Sequence, residues 1–314
     1  MSQHINPESF FIRILKSLLS IPSILFFLLL ILSFQPGKRT YENNVIYLAV
    51  AIVIWISYSY QNIRYQEKIH VKDITTGVYL FLILWEASTR VFDLLSSVLF
   101  PSPEEVFHVF YTERVLMVTG LFSSLYILLI GFAIALVFGN LLGLFVGWNT
   151  RLKNSFYPVA KVFSPIPPMI YTPYLIALLP TFSMASISVI GLGLFWPTFM
   201  NMINRVGSMD RRIIDSANSM GVSTPIMLLK VILPYSIPGI VGGLRVQLST
   251  TFMVLVMAEM IGAQSGLGFF VKKYSDYADY TRVMAGIIFI GIVITLLNQL
   301  LSVIENKTIR WKTL

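Results

Sequence analysis

Cysteine is absent from the 314 residues. Disulfides, thiolate metal sites and thiol catalysis are therefore excluded together, and redox chemistry says nothing about the compartment. Histidine is nearly absent too: His4, His70 and His108 stand apart, without metal-ligand spacing and without an HExxH motif. A phosphate-binding loop is missing, because Gly37-Lys38 has no glycine five residues earlier and Arg39 stands where Ser or Thr is required. The chain thus carries no means of using ATP itself. Charge is scarce as well, at 12% of residues against about 25% in a soluble domain. A mean hydropathy of +0.75 leaves too little polar surface for a water-soluble shell. Disorder, collagen and coiled coil do not accommodate 23 Phe, 15 Tyr and 5 Trp spread along the chain. A polytopic membrane protein remains.

A helix crossing the hydrocarbon core needs about 20 largely apolar residues, and charge-free runs of that length recur. Ser17 to Gly37 and Asn43 to Ile63 read as a hairpin of two helices, with Lys38, Arg39 and Glu42 between them and Pro36-Gly37 at the turn. A third candidate starts near Ile74 and carries Glu86 and Arg90, four apart with the acid first, so they share a face and can pair. After a polar stretch from Asp93 to Arg114, Ser123 to Gly147 forms one long span. Val162 to Asn204 supplies two, with Pro173 and Pro180 available for the bend. Ile240 to Ile261 and Val283 to Ile304 bring the expectation to eight. The fold class is all-α, with a hairpin at residues 1–75 ahead of a six-helix portion at 76–314.

Eight spans place both termini on one side. With the N-terminus cytoplasmic, the inner segments hold fourteen basic residues, among them Arg13, Lys16, Arg64, Lys68, Lys72, Arg151, Lys153, Lys307, Arg310 and Lys312. The outer segments hold five: Lys38, Arg39, Arg114, Lys272 and Lys273. The positive-inside rule therefore puts N- and C-termini in the cytoplasm. Basic residues confined to every second loop also dispose of a nucleic-acid surface, for which the net charge of +8 would otherwise argue. A cleaved signal peptide fits the first span poorly, since no small-x-small site follows it.

The inner loop from Arg205 to Pro234 is long for this chain, at about 30 residues, and has its own helix signals; residues 205–237 bound the region. Ser208 and Asp210 can cap a helix whose Ile213, Ile214, Ala217 and Met220 recur at helical spacing against Arg211, Arg212, Asp215 and Asn218. Gly221 can end it in the left-handed conformation, and Thr224 can cap a second helix with Pro225 at its first position. Two short helices on the cytoplasmic face suit the docking of a soluble partner. An amphipathic connector lying on lipid headgroups is the other reading of the same residues.

Asp215-Ser216-Ala217, three residues, Gly221, nine residues, Val231, one residue and Leu233-Pro234 resemble the EAA loop of permease subunits of binding-protein-dependent ABC importers, EAA-x3-G-x9-I-x-LP. Asp215, Ser216 and Val231 depart conservatively from that pattern. The resemblance spans about Trp85 to Trp311 and is closest to the nitrate/sulfonate/taurine branch. It rests further on Leu99-Phe-Pro-Ser-Pro-Glu104, Pro165-Ile-Pro-Pro168, Ala258-Glu-Met-Ile-Gly262 running into Ser265-Gly-Leu-Gly268, and Ala285-Gly-Ile-Ile288. It implies that the loop seats on an ATP-binding subunit through Asp210, Arg211, Asp215, Ser216, Ala217, Gly221, Pro225, Leu233 and Pro234. It also implies two ATPase subunits carrying ATP and Mg²⁺, a second permease copy or paralogue, an extracytoplasmic substrate-binding protein and a bacterial cell membrane. No cofactor is expected on this chain.

Gly131, Ala135, Gly139, Gly143 and Gly147 form a small-residue ridge fit for close helix packing. Pro165, Pro167 and Pro168 break regular helix inside the membrane, where freed carbonyls must face protein or water. With Tyr171 and Tyr174 beyond them they are candidates for a substrate path, a structural kink being the alternative. Ser249, Thr250 and Thr251 either bond their own backbone or contact an anion. Glu259, a carboxylate in an apolar run, is either a path residue or the partner of Arg282 or Arg245. Lys161 is the nearest basic residue to the path and can equally snorkel to the inner surface. Two other function classes stay open: a membrane enzyme acting on a lipid-linked substrate, which would need clustered acids, histidines or a metal site, and a passive channel or secondary carrier, which would need no long inner loop.

Overall fold

The computed structural model describes residues 15–39, 44–65 and 69–308. His4, Arg13, Glu42, Lys68, Arg310, Trp311 and Lys312, on which parts of the topology and span reading fall, lie outside them. No strand occurs among the described residues. The helices are α1 (Ile21–Phe34), α2 (Val45–Tyr65), α3 (Ile69–Glu86), α4 (Pro103–Thr112), α5 (Arg114–Trp148), α6 (Thr150–Phe163), α7 (Pro168–Leu178), α8 (Phe182–Gly207), α9 (Arg211–Ser219), α10 (Thr224–Gly262), α11 (Leu267–Asp276) and α12 (Tyr280–Thr308). Each of the eight charge-poor stretches is helical, and α2, α5, α8, α10 and α12 are long and apolar enough to cross a membrane.

Two expected spans are shorter than their charge-free runs. α1 has 14 residues, about 21 Å at 1.5 Å per residue, because Ser20 is extended and Pro22 starts the helix afresh. α7 has 11 residues, about 16 Å, confined between Pro165–Pro168 on one side and the turn at Pro180 on the other. Pro173 lies within α7 and does not form the bend.

Two compact units make up the chain. One runs to Arg114 and takes in Tyr274–Ala285; the other comprises Val115–Lys273 and Gly286 onward. In the first, α1, α2 and α3 enclose Phe26, Leu29, Tyr47, Ala51, Tyr79 and Leu82. Glu86 and Arg90 pair at 2.9 Å across one helical turn, as their spacing predicts. Arg90 also meets Glu104 of α4 at 3.0 Å and donates to the Leu32 and Gln35 carbonyls at the end of α1. Glu86 accepts the Tyr47 hydroxyl at 2.7 Å. A buried charge tolerates its desolvation only when paired and hydrogen-bonded, and the network supplies both to Glu86 and Arg90.

In the second unit the small-residue ridge of α5 meets α8. A Cβ on Gly131 would lie 2.8 Å from the Ile190 Cβ, and one on Gly143 would lie 2.7 Å from both the Met202 Cβ and the Phe199 carbonyl. Gly139 and Gly147 meet Thr198 and Ile203 in the same way. The four-residue spacing on α5 thus acts as a packing face. Ile127, Leu128, Leu194, Phe252, Leu255 and Val293 continue the core across α5, α8, α10 and α12.

Candidate functional site

The loop after α8 is built from local rules. Asp210, in extended conformation, accepts the Arg212 amide at 2.9 Å and starts α9. Ser208 ends α8 instead of starting α9. At the other end Gly221 adopts φ +69°. Its amide donates to the Asn218 carbonyl at 2.9 Å and that of Val222 to the Ala217 carbonyl at 3.2 Å, the paired bonds of a Schellman ending. Because φ is positive there, glycine is the residue that ends the helix without strain.

Only part of the apolar stripe of α9 is covered. Ile214 and Ala217 pack with Val222 against a cluster of Leu144, Met202, Val206, Met209, Met227 and Ile232. Ile213 and Met220 face outward instead, Met220 at 81% exposure. Arg211, Arg212, Asp215 and Ser216 are exposed on the same helix. The Ser216 hydroxyl donates to the Arg212 carbonyl at 2.7 Å, so its bonding is internal to the helix.

The second loop helix differs from its sequence reading in two ways. Its N-cap is Ser223, which places Thr224 and Pro225 inside the first turn. It does not end as a short element: it passes through a π-helical turn at Met227–Ile232 and continues through Leu233 and Pro234 as α10 to Gly262. Pro225 is tolerated in the first turn, where an amide donor is not required, and Pro234 follows directly on the π-helical turn, where the regular α-helical bonding is already interrupted. Arg205 of α8 donates to the Gly239 carbonyl of α10 at 2.6 Å, and a Cβ on Gly239 would occupy the space of that guanidinium.

Within the second unit, Pro168 and Thr250 line a cavity of about 230 Å³ together with Gly193, Gln247 and Thr251. Pro165 and Pro167 lie in the break ahead of α7. Tyr171 is half-buried beside Gly193, whereas Tyr174 is 68% exposed. The hydroxyls of Thr250 and Thr251 donate to backbone carbonyls of their own helix, and Ser249 donates to Asn298 of α12 at 3.0 Å. Gln247 and Gly193 escaped the sequence reading. A lone amide mid-span and a glycine off the four-residue ridge were their only signals.

Glu259 is not the partner of either arginine. Arg282 pairs with Glu113 at 2.8 Å and with Asp279, and Arg245 pairs with Glu305 at 3.2 Å. Glu259, 1% exposed, accepts the Ser124 hydroxyl at 2.6 Å and the Gly268 amide at 2.8 Å. Ser124 in turn accepts the Leu267 amide at 2.9 Å, and Gly266 holds φ +127° where a Cβ would collide with the carboxylate. The Glu-Met-Ile-Gly and Ser-Gly-Leu-Gly segments are therefore one folding unit, fastened to α5 by neutral donors. Among the described residues no cluster of three or more His, Asp or Glu that could hold a metal is present.

Residues 135–310 match the family described as binding-protein-dependent transport system inner membrane component. The chain belongs to that family. It is a multi-pass membrane protein and the permease subunit of an ABC importer. It is 29% identical over 250 residues to the taurine transport system permease protein TauC of Escherichia coli (strain K12), covering 76% of this chain and 88% of that one. Against the putative aliphatic sulfonates transport permease protein SsuC of Bacillus subtilis (strain 168), identity is 27% over 189 residues, with 60% and 68% covered. Among solved structures, a chain of the inward-facing MetNI methionine ABC transporter superposes with a TM-score of 0.56 at 20% identity, covering 62% of this chain and 97% of that one. The all-helical permease fold is common to both.

Proposed function

We propose that this permease, with a second copy or a paralogue, forms the translocation path for a small organic sulfonate or related oxyanion. An extracytoplasmic binding protein delivers the solute, and two separate ATPase subunits holding ATP and Mg²⁺ drive the cycle through Asp210–Pro234. Both termini lie in the cytoplasm, the hairpin at 1–75 is an addition to the core at 76–314, and the broken stretch from Pro165 through Tyr174, with Ser249 and Thr250, borders the path, while Glu259 braces the turn beside it. The names of the two relatives support the solute class.

The observation that carries the coupling role is α9 itself. It is capped at both ends, seated on a buried cluster shared by α5, α8 and α10, and exposed along Arg211, Arg212 and Asp215. A ligand shifts a conformational equilibrium only through differential affinity for its states, so a docking element must transmit force without melting. Through the turn at Gly221, α9 leads directly into the 39 residues of α10.

Gly221→Val tests this. No atom lies within 4 Å of a Cβ at that position, so the substitution acts through the positive φ and not through a clash. In proteoliposomes with the cognate ATPase and binding protein, the variant is expected to insert and bind the ATPase while uptake per ATP hydrolysed falls. Uptake at the wild-type ratio would refute the coupling role.

A further inference from the structure

The hairpin unit contains a cavity of about 520 Å³ that the transport reading does not use. It opens where the C-terminal end of α2 approaches the start of α3, beside the turn that precedes α1. Among the described lining residues, Lys16 and Lys72 reach it from separate elements and Asp73 is the acid beside them, so the described lining is net positive by one. Asn62 adds an amide that can donate and accept. The apolar part of the lining is Leu19, Ile21 and Ile69, all exposed.

The floor is rigid. Tyr58, almost fully buried, donates to the Ser20 hydroxyl at 2.9 Å, and Ser20 donates to the Ser17 carbonyl at 2.6 Å. Those hydroxyls tie the turn to α2. Two ammonium groups, polar groups and apolar side chains in one lining match an anionic headgroup followed by its acyl chain. Basic pockets between helices at the cytoplasmic surface bind such headgroups.

We infer that this cavity is a binding site for one anionic phospholipid of the phosphatidylglycerol class. Lys16 and Lys72 hold the phosphodiester, Asp73 and Asn62 take the hydroxyls of the headgroup alcohol, and Leu19, Ile21 and Ile69 carry the first part of the acyl chain. Two lysines against one acid in the described lining favour a headgroup of charge minus one. A zwitterionic choline headgroup offers no hydroxyl to Asp73 and cancels its own phosphate charge. The inference rests on the proposed orientation only for the leaflet, not for the chemistry.

Native mass spectrometry of the full-length protein tests it, after delipidation and titration with phosphatidylglycerol or phosphatidylcholine of identical chains. Wild type is expected to retain the anionic lipid in about 30-fold preference, the ratio expected of two lysines near an anionic surface. Lys16→Gln/Lys72→Gln is expected to lose that preference, while Lys161→Gln/Lys230→Gln, which removes the same charge from exposed sites elsewhere, keeps it. Equal retention of the two lipids by wild type, or an unchanged preference in the first double variant, would overturn the site. Displacement of the lipid by 10 mM inorganic phosphate would overturn the lipid assignment in favour of a free anion. Absence of ATP-driven uptake in wild type with its lipid preference intact would count against the transport reading and leave this one standing.

Discussion

Glu259 and Ser124, 135 residues apart in the chain, meet at 2.6 Å inside the second unit, where the hydroxyl is donor to the carboxylate and acceptor of the Leu267 amide. The serine joins the carboxylate to the turn at Gly266, and the carboxylate also takes the Gly268 amide directly. Glu259→Leu strands both donors in a buried site, and each orphaned donor costs about 1–3 kcal/mol. Thermal unfolding of the purified variant is expected to shift down accordingly, and Ser124→Ala is expected to destabilise by a smaller step. Wild-type stability in Glu259→Leu would show that the carboxylate has no structural role.

The ridge on α5 makes a second, sterically simple prediction. Gly143→Leu places side-chain atoms where the Met202 Cβ and the Phe199 carbonyl already sit, and neither can withdraw like the tip of a flexible chain. Overpacking of this kind costs about 1–3 kcal/mol or more. Gly191→Ala, at a position with no atom within 4 Å, is expected to be neutral. Yield of folded protein and unfolding temperature distinguish the two, and equal behaviour would refute close packing of α5 on α8.

Capping of α9 is open to a graded test. Asp210→Asn keeps an acceptor for the Arg212 amide, whereas Asp210→Ala removes it at a cost of about 1 kcal/mol to the helix. Under the coupling role, uptake per ATP is expected to fall in the alanine variant and to hold in the asparagine variant. Loss of equal size in both would point to the charge and away from the cap.

Glu104, on the amphipathic α4 outside the spanning helices, carries a pH prediction. Burial, and then the Glu86 carboxylate nearby, push its acid from the ordinary 4.5 up to about 7, against Arg90 and Ser102, which favour ionisation. Between those values the folded protein binds more protons than the unfolded chain, so the contribution is fully present below about 4.5 and is lost as pH rises through about 7. The unfolding temperature of wild type is expected to drop between pH 5 and pH 8. Glu104→Gln is expected to flatten that dependence, and parallel curves for the two proteins would assign it to another group.

Capping and turn chemistry were legible before folding because they are local. Asp210 and Gly221 act within a few residues, and the Glu86–Arg90 pair spans a single turn. Interactions across long sequence separations were not legible. Glu259 was left between the path and an arginine partner because opposite charge is the signal that sequence offers, whereas Ser124 sits unannounced in an apolar run. Charge-free length also overstated α1 and α7, since hydropathy does not register that Pro22, Pro168 and Pro180 reset the helix. Met220 had helical phase with Ile213, but phase alone does not say whether a face has a neighbour, and Met220 has little.

The ridge has a consequence for how the molecule moves. At Gly131, Gly139, Gly143 and Gly147 the α5 side carries no side chain, so the first atoms of α8 side chains and its carbonyls press directly on the α5 backbone. Contact this close predicts that α5 and α8 move together, with relative motion in the second unit falling where packing is open, as at the cavity bordered by Pro168 of α7 and Gln247 and Thr250 of α10.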